Sequence, residues 1–271
     1  MDKILQFQKV TRLNEFAGVG MGGNIWIILN SLMHSNREDS LYVDMETHSC
    51  ACTEDNFNKF NTNNCWEYYY DQMKKPNTIN IVTNISEPAR GLNYKNVPLI
   101  DYSDLQYKFN KNFKLKDYLQ DELDSYYNKN LKYKITLGVH IRLTDMVQHL
   151  KRAPLSKYLI RIQEILNKNP NIEQLFIATD DHRAIEEVRK HISIPIIYYE
   201  AFRASDDDPH TNPYDRHNKN IRENANYLLS LECIKEIYTL SMCNFLLRAD
   251  VSAMSNVATI VSTRIKTLYK L

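Results

Sequence analysis

Apolar and polar positions alternate in blocks through the second half of the chain. A nearly continuous apolar run at 133–141, YKITLGVHI, predicts a buried parallel strand. Apolar residues then recur with helical spacing from Leu155 to Leu166, and the Asn-Pro pair at 169–170 predicts the end of that helix. Further blocks predict strands at 174–179, 194–199 and 244–249, and helices at 181–192, 222–241 and 251–271. This alternation predicts an α/β protein with a parallel, doubly wound sheet.

The first half has fewer regular patterns. Its apolar blocks predict a helix at 25–33 and strands at 40–45 and 78–83. A polar stretch at 111–132 predicts a surface helix that crosses between two domains. A chain of 271 residues can form one large domain or two of roughly 130 residues. We expect two: an N-terminal α/β domain at 1–130 and a C-terminal domain at 131–271.

Four of the six glycines precede the first predicted helix, at Gly18, Gly20, Gly22 and Gly23. Glycine is costly to order, so this crowding indicates that a backbone or a ligand comes close at a strand-to-helix turn. A helix N-terminus suits an anion such as the diphosphate of a sugar nucleotide. The alternative is a tight turn that lets the helix pack on a sheet. The run lacks the Lys-Ser/Thr pair of a P-loop, which argues against that nucleotide motif.

The composition is that of an ordinary soluble globular protein, with 43% apolar and 25% charged residues. A net charge of +1 gives no electrostatic case for a nucleic acid or a membrane surface as partner. The N-terminus is too polar for a signal peptide and no apolar run is long enough for a membrane span. The expected location is the cytoplasm, unless an anchor has been removed. Five cysteines without a CxxC pair argue against disulfides and structural zinc, although His48, Cys50 and Cys52 could bind a metal.

Polar residues stand where the predicted strands of the second half end. In parallel sheets, ligands bind outside the carboxyl ends of the strands, so these polar clusters should converge on one crevice. The clusters are HIRLTD at 140–145, TDD at 179–181 and DVSAMS at 250–255.

Each side chain in these clusters has a functional and a structural interpretation. Arg142 offers a planar fork of donors suited to phosphate, or it forms an ion pair with Asp145 or Asp180. His140 alternates with Arg142 and should face the same side, unless it is a hydrogen-bonded core histidine. Asp180 and Asp181 could orient Arg142 or cap the next helix, and capping explains one aspartate better than two.

The ordered set of motifs HIRLTD, PLSKY, FIATDD and LSMCNFLLRADVSAMSNVA resembles the donor-binding half of the α1,6-fucosyltransferases. These include the N-glycan core enzyme and the rhizobial chitooligosaccharide enzyme. The corresponding family patterns are HxRRTD, P-x-x-x-Y, ATDD and LSxxDFLVxTxSS. In the first half, GVGMGGN resembles the family's GxGxGxQ turn, and SLYVDME resembles its next strand. Each piece is short, but the order spans nearly the whole chain.

This resemblance implies a GT-B fold, in which two Rossmann-like domains face each other across a cleft. It implies an inverting glycosyltransferase with GDP-fucose as co-substrate and no cofactor or metal. The nucleotide-sugar donor would bind the C-terminal domain, and an oligosaccharide or glycoconjugate acceptor would bind mostly the N-terminal domain. No nucleic-acid partner and no membrane span are expected.

The resemblance also implies roles for single residues. Arg142 would bind the diphosphate, and Ser252 matches a serine at the phosphate. Glu236 stands where the family has an aspartate that recognises guanine, and a carboxylate can accept from both N1–H and N2–H₂ of that base. Residues expected at the donor site are Gly20, Gly22, Gly23, Asn24, His140, Arg142, Asp180, Asp181, Arg222, Glu236 and Ser252. Residues expected in catalysis are Arg142, Asp145, Tyr158, His149 and Glu46.

Two departures from the family pattern leave alternatives open. The family's second arginine is Leu143 here, so Arg152, Arg216 or Arg222 would have to replace it. The family's usual candidate for the base is also absent, which leaves His149, Glu46 or Asp44. The same fold with another nucleotide sugar is therefore an alternative, as is a non-catalytic glycan- or nucleotide-binding protein. A metal-dependent transferase that uses the acidic run at 206–208 is a further one.

Overall fold

The structure of the chain, a computed structural model, describes residues 2–7, 20–33, 40–45, 59–73, 82–85, 102–144, 153–203, 222–249, 252–262 and 264–271. Its α-helices are α1 (Met21–Met33), α2 (Tyr102–Asn112), α3 (Asp117–Asn130), α4 (Leu155–Lys168), α5 (His182–His191), α6 (Ala225–Met242) and α7 (Ala253–Val261). Its strands are β1 (Asp2–Phe7), β2 (Ser40–Asp44), β3 (Tyr70–Asp71), β4 (Val82–Ile85), β5 (Lys114–Leu115), β6 (Thr136–Ile141), β7 (Gln174–Thr179), β8 (Ile196–Ile197), β9 (Phe245–Arg248) and β10 (Thr267–Lys270). A 3₁₀ helix spans Cys65–Tyr68.

Two parallel sheets form the framework of the described residues. The first has the strand order β2-β1-β4, and the second has the order β10-β9-β6-β7-β8. Every described pairing within these two sheets is parallel, whereas the short strands β3 and β5 pair antiparallel. The predicted α/β class with parallel sheets is therefore confirmed.

Most predicted elements of the second half are present, and three elements of the chain differ from the prediction. β7 has the predicted bounds, and α4 begins at Leu155 as predicted. The strand β1 was not predicted, yet it pairs with both β2 and β4. The helix predicted at 251–271 is wrong in its second part, because α7 ends at Val261 and β10 follows as a strand on the edge of the second sheet. β4 begins at Val82 and so lies later than the predicted strand at 78–83.

The polar stretch predicted as one crossing helix is two helices. α2 ends at Asn112, and α3 begins at Asp117 after the short strand β5. α3 is amphipathic, with Leu119 and Leu123 buried on one face. Tyr118 at its start donates a hydrogen bond to the Tyr68 carbonyl oxygen, 2.8 Å away, which ties it to the 3₁₀ helix.

Two clusters of buried apolar side chains form the core. The larger joins α1, the 3₁₀ helix, α2 and α3 to α6 and α7, so it includes residues from both sides of position 130. α1 packs against α2, α6 and α7 within it. The smaller cluster lies under the second sheet, where Tyr158, Ile162 and Ile165 of α4 meet the side chains of β6 and β7. The larger cluster also includes Phe176 and Leu246 of the second sheet, so α1 and α7 are held beside that sheet.

The described helices are short or contain charged residues within their sequence. α6 is the longest at 18 residues, and it includes Glu232, Lys235 and Glu236. Within the described ranges, none of the helices is both long enough and apolar enough to cross a membrane.

Candidate functional site

The carboxyl ends of β6 and β7 bring two of the predicted polar clusters together. The two strands are parallel and in register, with His140 opposite Ala178 and Ile141 opposite Thr179. His140 is buried at the end of β6, and Arg142 follows it half-buried just beyond the strand. The chain emerges from both strands at the same edge, which is where ligands bind in sheets of this kind.

Asp180 fixes the backbone that follows β6. Its Oδ1 accepts a hydrogen bond from the Leu143 N–H at 2.8 Å, and its Oδ2 accepts one from the Thr144 N–H at 3.1 Å. Hydrogen bonds to a carboxylate are stronger than those between neutral groups. Because Leu143 directly follows Arg142, these two bonds hold the position of the arginine. Asp180 therefore acts on the predicted site through the backbone.

Asp181 is engaged in a different way. It is the N-cap of α5, where its Oδ1 accepts from the Arg183 N–H at 2.9 Å. The Arg183 side chain also pairs with this carboxylate, with Nη2 2.5 Å from Oδ2. The Asp181 residue is fully buried. These contacts support the capping interpretation for Asp181 and separate its role from that of Asp180.

The N-terminus of α7 lies at the same edge as the ends of β6 and β7. β9 pairs alongside β6, with Leu247 opposite Val139, and the chain then leads to Ser252 at the N-cap position of α7. The Ser252 side chain makes no capping hydrogen bond. Its Oγ and that of Ser255 are buried and have no hydrogen-bond partner within the described part of the chain. A buried hydroxyl without a partner costs free energy, so this helix end is suited to receive a polar ligand.

The glycine run lies against the same helix end. Gly22 and Gly23 are inside the first turn of α1 and buried, whereas Gly20 precedes the helix and is exposed. A Cβ built on Gly22 would be 2.9 Å from Met254 Cγ on α7 and 3.3 Å from Cys233 Sγ on α6. The absence of a side chain at Gly22 therefore allows α1 to pack closely on α6 and α7. The predicted close approach is a contact between helices, and it brings the N-termini of α1 and α7 together.

The two glycines of this turn should respond in opposite ways to alanine. Gly22→Ala should lower the free energy of unfolding by about 1–3 kcal/mol, because the added methyl group overpacks the contact with Met254. Gly20→Ala is the matched control, since a Cβ there meets no atom within 4 Å, and it should be neutral or slightly stabilising. Urea denaturation of both variants measures the difference. Equal stabilities would mean that the helices do not approach at Gly22.

Glu236 forms a buried ion pair that the sequence did not predict. It lies on α6 beside Ile237, which also faces Gly22. The Arg203 Nη2 donates to Glu236 Oε1 at 2.9 Å, and the two side chains are only 4% and 9% exposed. Burial raises the pKa of the Tyr126 phenol, and the nearby Cys243 and Glu236 raise that pKa further. Arg203 follows β8, the one strand between β6 and β9 to which the strand-end rule was not applied.

Arg222 is paired away from the strand ends. Its guanidinium makes a two-pronged ion pair with Glu232 of α6, at 2.5 Å and 3.1 Å. It also lies over the Phe202 ring at 5.8 Å. These contacts give Arg222 a structural role as an alternative to the predicted contact with phosphate.

The remaining predicted residues are buried or lie outside the described ranges. Tyr158 on α4 is buried in the smaller apolar cluster, close to Ile162. Asp44, at the end of β2, is also buried. Asn24 is buried in the first turn of α1. Asp145, His149, Glu46, Arg152, Arg216 and Gly18 lie outside the described residues.

One described cavity lies away from the predicted residues. It has a volume of about 640 Å³ and opens along the outer edge of β8, between α3 and α5. None of the predicted site residues lines it. Tyr198 is in its wall, and the ring of Tyr198 is 5.8 Å from the Arg203 guanidinium. Neither Arg203 nor Glu236 lines the cavity itself.

No group of three or more His, Cys, Asp or Glu side chains in the described residues could hold a metal ion. The two sequence candidates, His48 with Cys50 and Cys52 and the acidic run at 206–208, fall outside those residues.

Comparison with known proteins identifies similar structures. No protein-family model matches the sequence, and no curated protein matches it in sequence. The structure is similar to the NodZ α1,6-fucosyltransferase soaked with GDP-fucose, with a TM-score of 0.58 and 12% identity over 98% of this chain and 94% of that one. Fucosyltransferase NodZ from Bradyrhizobium gives a TM-score of 0.56 and 10% identity over 98% and 94%. POFUT1 in complex with GDP gives a TM-score of 0.50 and 11% identity over 99% and 98%.

These similarities establish the fold. They extend over nearly the whole of each chain. The similarity therefore includes both parallel sheets and is not limited to one nucleotide-binding motif. The predicted GT-B fold, with two Rossmann-like units, is confirmed, and the predicted resemblance to the α1,6-fucosyltransferases is confirmed at the level of structure.

Proposed function

We propose that this protein is a glycosyltransferase that transfers fucose from GDP-fucose to a hydroxyl group of a glycan. The main support is that the motifs HIRLTD and FIATDD, which resemble those of the α1,6-fucosyltransferases, stand at the ends of paired parallel strands, in a chain that aligns over 98% of its length with such an enzyme. The donor would bind residues 131–271, and the acceptor would bind mainly residues 1–130.

The diphosphate would lie between the ends of the strands and the helix N-termini. Arg142 would donate charge-assisted hydrogen bonds to it, and Asp180 would hold that arginine in place through the backbone at 143–144. The Ser252 and Ser255 hydroxyls and the N-terminus of α7 would provide further donors. These groups would stabilise the charge that develops on the leaving diphosphate without a divalent metal.

We propose that the reaction inverts the configuration at the fucose carbon, so one group must deprotonate the acceptor hydroxyl. His149 and Glu46 are the candidates, with Asp145 and Tyr158 in supporting roles. Asp44 is the candidate at the end of β2, where it is buried. Such a base must lie within hydrogen-bond reach of the hydroxyl proton that it takes up.

A second candidate function is the same chemistry with a different nucleotide sugar. Leu143 favours it, since the family's second arginine is absent at that position and the side chain packs on the smaller apolar cluster instead. Arg222 is held by Glu232, which weakens it as the replacement. A phosphate site with one arginine fewer could accommodate the donor differently.

Nucleotide binding in the presence and absence of a chelator tests both functions. Isothermal titration calorimetry with GDP, UDP and ADP should show GDP binding at least about tenfold more tightly than the other two, with no change on adding EDTA. Transfer of fucose from GDP-fucose to a chitooligosaccharide or an N-glycan, measured as released GDP, should also survive EDTA.

Other results of these experiments would favour the alternative functions. Preference for UDP or ADP would favour the second candidate, in which the fold uses another donor. Binding of GDP-fucose without turnover on any acceptor in a glycan panel would indicate a glycan- or nucleotide-binding protein. Loss of activity in EDTA, with recovery on adding Mn²⁺, would favour a metal-dependent enzyme that uses the acidic run at 206–208.

A further inference from the structure

The buried ion pair between Arg203 and Glu236 has one donor left over. Arg203 Nη2 is bonded to Glu236, and Nη1 donates to the Ala201 carbonyl oxygen at 3.1 Å. The Nε–H is buried and has no hydrogen-bond partner in the part of the chain that the structure describes. The Arg203 side chain is only 4% exposed, so water does not replace that partner freely. A buried N–H without an acceptor is costly and requires an explanation.

The geometry of the guanidinium locates this donor. Nε–H and one N–H of Nη2 lie on the same edge of the planar group and point in parallel. Nη2 carries a second N–H on the other edge, and Nη2 donates to Glu236 Oε1 at 2.9 Å. Because Nε and Nη2 are bonded to the same carbon, an acceptor that bonds to Nε–H would lie near Glu236.

The Watson–Crick edge of guanine matches this arrangement. It presents the acceptor O6 beside two donors, N1–H and N2–H₂, in one plane. We propose that Arg203 Nε–H donates to O6 of the donor's guanine while Glu236 accepts from N1–H and N2–H₂. This inference rests on the proposed function, because it assumes that the donor is a guanine nucleotide, and it names Arg203 as a specificity-determining residue.

The same pair would reject the other bases. Adenine presents an amino donor at position 6 towards Arg203 and an acceptor at N1 towards the Glu236 carboxylate, so both contacts are repulsive. Uracil is a smaller ring that leaves one of the two buried groups without a partner. Discrimination of this kind is strong because a mismatched ligand leaves buried polar groups unpaired.

Two guanine analogues separate the two contacts in the unaltered protein. 6-Thio-GDP replaces O6 by sulfur, which is a weak acceptor, and keeps both donors of the base. IDP keeps O6 and N1–H and lacks the 2-amino group. By calorimetry we expect 6-thio-GDP to bind about tenfold or more weakly than GDP, because it loses the hydrogen bond from Arg203. IDP should also bind more weakly, since it loses a contact with Glu236.

A variant assigns the O6 contact to Arg203. Arg203→Met removes every donor, so the ratio of the GDP and 6-thio-GDP affinities should fall to within about twofold of one. The double variant Arg203→Met/Glu236→Gln removes both charges, so no buried charge is left unpaired, and it should show the same loss of the ratio. Arg161→Met is the matched control, because Arg161 pairs with Glu164 on the surface of α4 and its variant should keep the wild-type ratio.

The outcomes distinguish this inference from the proposed function. Equal affinity of the unaltered protein for GDP and 6-thio-GDP would overturn the role of Arg203 and leave the proposed function intact. A ratio that persists in Arg203→Met or in the double variant would also overturn it, because another group would then contact O6. If no guanine nucleotide binds to the unaltered protein, both the inference and the proposed function are overturned.

Discussion

Replacing Arg142 with alanine should reduce the affinity for GDP and GDP-fucose by at least about 100-fold and remove most of the transferase activity. The reason is that a guanidinium at the end of β6 would make two charge-assisted bonds to the diphosphate, each contributing about 1.5–3 kcal/mol. The side chain lies beyond the buried strand, so the fold should be retained. Calorimetry with GDP and a GDP-release assay measure the two losses.

The control for this experiment is another arginine of the same sheet region. Arg161→Ala on α4 removes a surface ion pair with Glu164 and should leave affinity and activity unchanged. Circular dichroism and thermal melting should give wild-type values for both variants. A folded Arg142→Ala protein with wild-type affinity for GDP would exclude Arg142 from the donor site.

Alanine at Asp180 and at Asp181 should have different effects, although the two residues are adjacent. Asp180→Ala should lower turnover about tenfold or more, because the backbone N–H groups of Leu143 and Thr144 lose the carboxylate that holds them and Arg142 shifts. Asp181→Ala should instead lower the free energy of unfolding by about 1–2 kcal/mol, since α5 loses its N-cap. Urea denaturation and steady-state kinetics of both variants give the comparison.

Comparing the turnover and the GDP affinity of the two variants shows whether each aspartate acts on the donor site or on the helix. The Asp181→Ala protein should keep its affinity for GDP at a temperature where it is fully folded. If its turnover instead fell as far as that of Asp180→Ala, Asp181 would act on the donor as well as on the helix.

The elements that the sequence predicted well are those whose local pattern of apolar, polar and capping residues marks both the type and the bounds of the element. β7 has four consecutive apolar residues between Gln174 and Thr179, and all six of its residues are buried. α5 begins after the capping residue Asp181, and α4 has its apolar residues at helical spacing. In each case local propensity and the final environment agree, so the bounds could be found without knowing the partner strands.

The elements that were missed depend on partners distant in sequence. β1 lies between β2 and β4 and becomes a strand by pairing with both. β10 is an edge strand of exposed and half-exposed residues that pairs only with β9 in the described sheet. Its residues continue the helical pattern of α7, so the sequence favoured a helix. Pairing with β9 at the edge of the sheet makes this segment a strand instead. Such tertiary effects are not contained in a local window.

The sequence allowed the candidate residues at the strand ends to be predicted, but not the hydrogen-bond partners of the candidate side chains. The rule that ligands bind at the carboxyl ends of strands selected His140, Arg142 and Asp180 from the sequence alone. No local signal indicated that Arg203 would pair with Glu236, 33 residues later, or that Asp180 would bond to the backbone after β6. These partners depend on the packing of α6 and on the register of β6 and β7.

The larger apolar cluster has a consequence for how such a chain can change during evolution. Leu29 and Trp66 from the first half share it with Ile234 and Val257 from the second half. Gene recombination that exchanged one half for its counterpart from another protein of this fold would leave the apolar faces of α6 and α7 in contact with water. New ligand specificities should therefore arise by insertions and substitutions in the loops of an intact chain, and not by the exchange of whole halves.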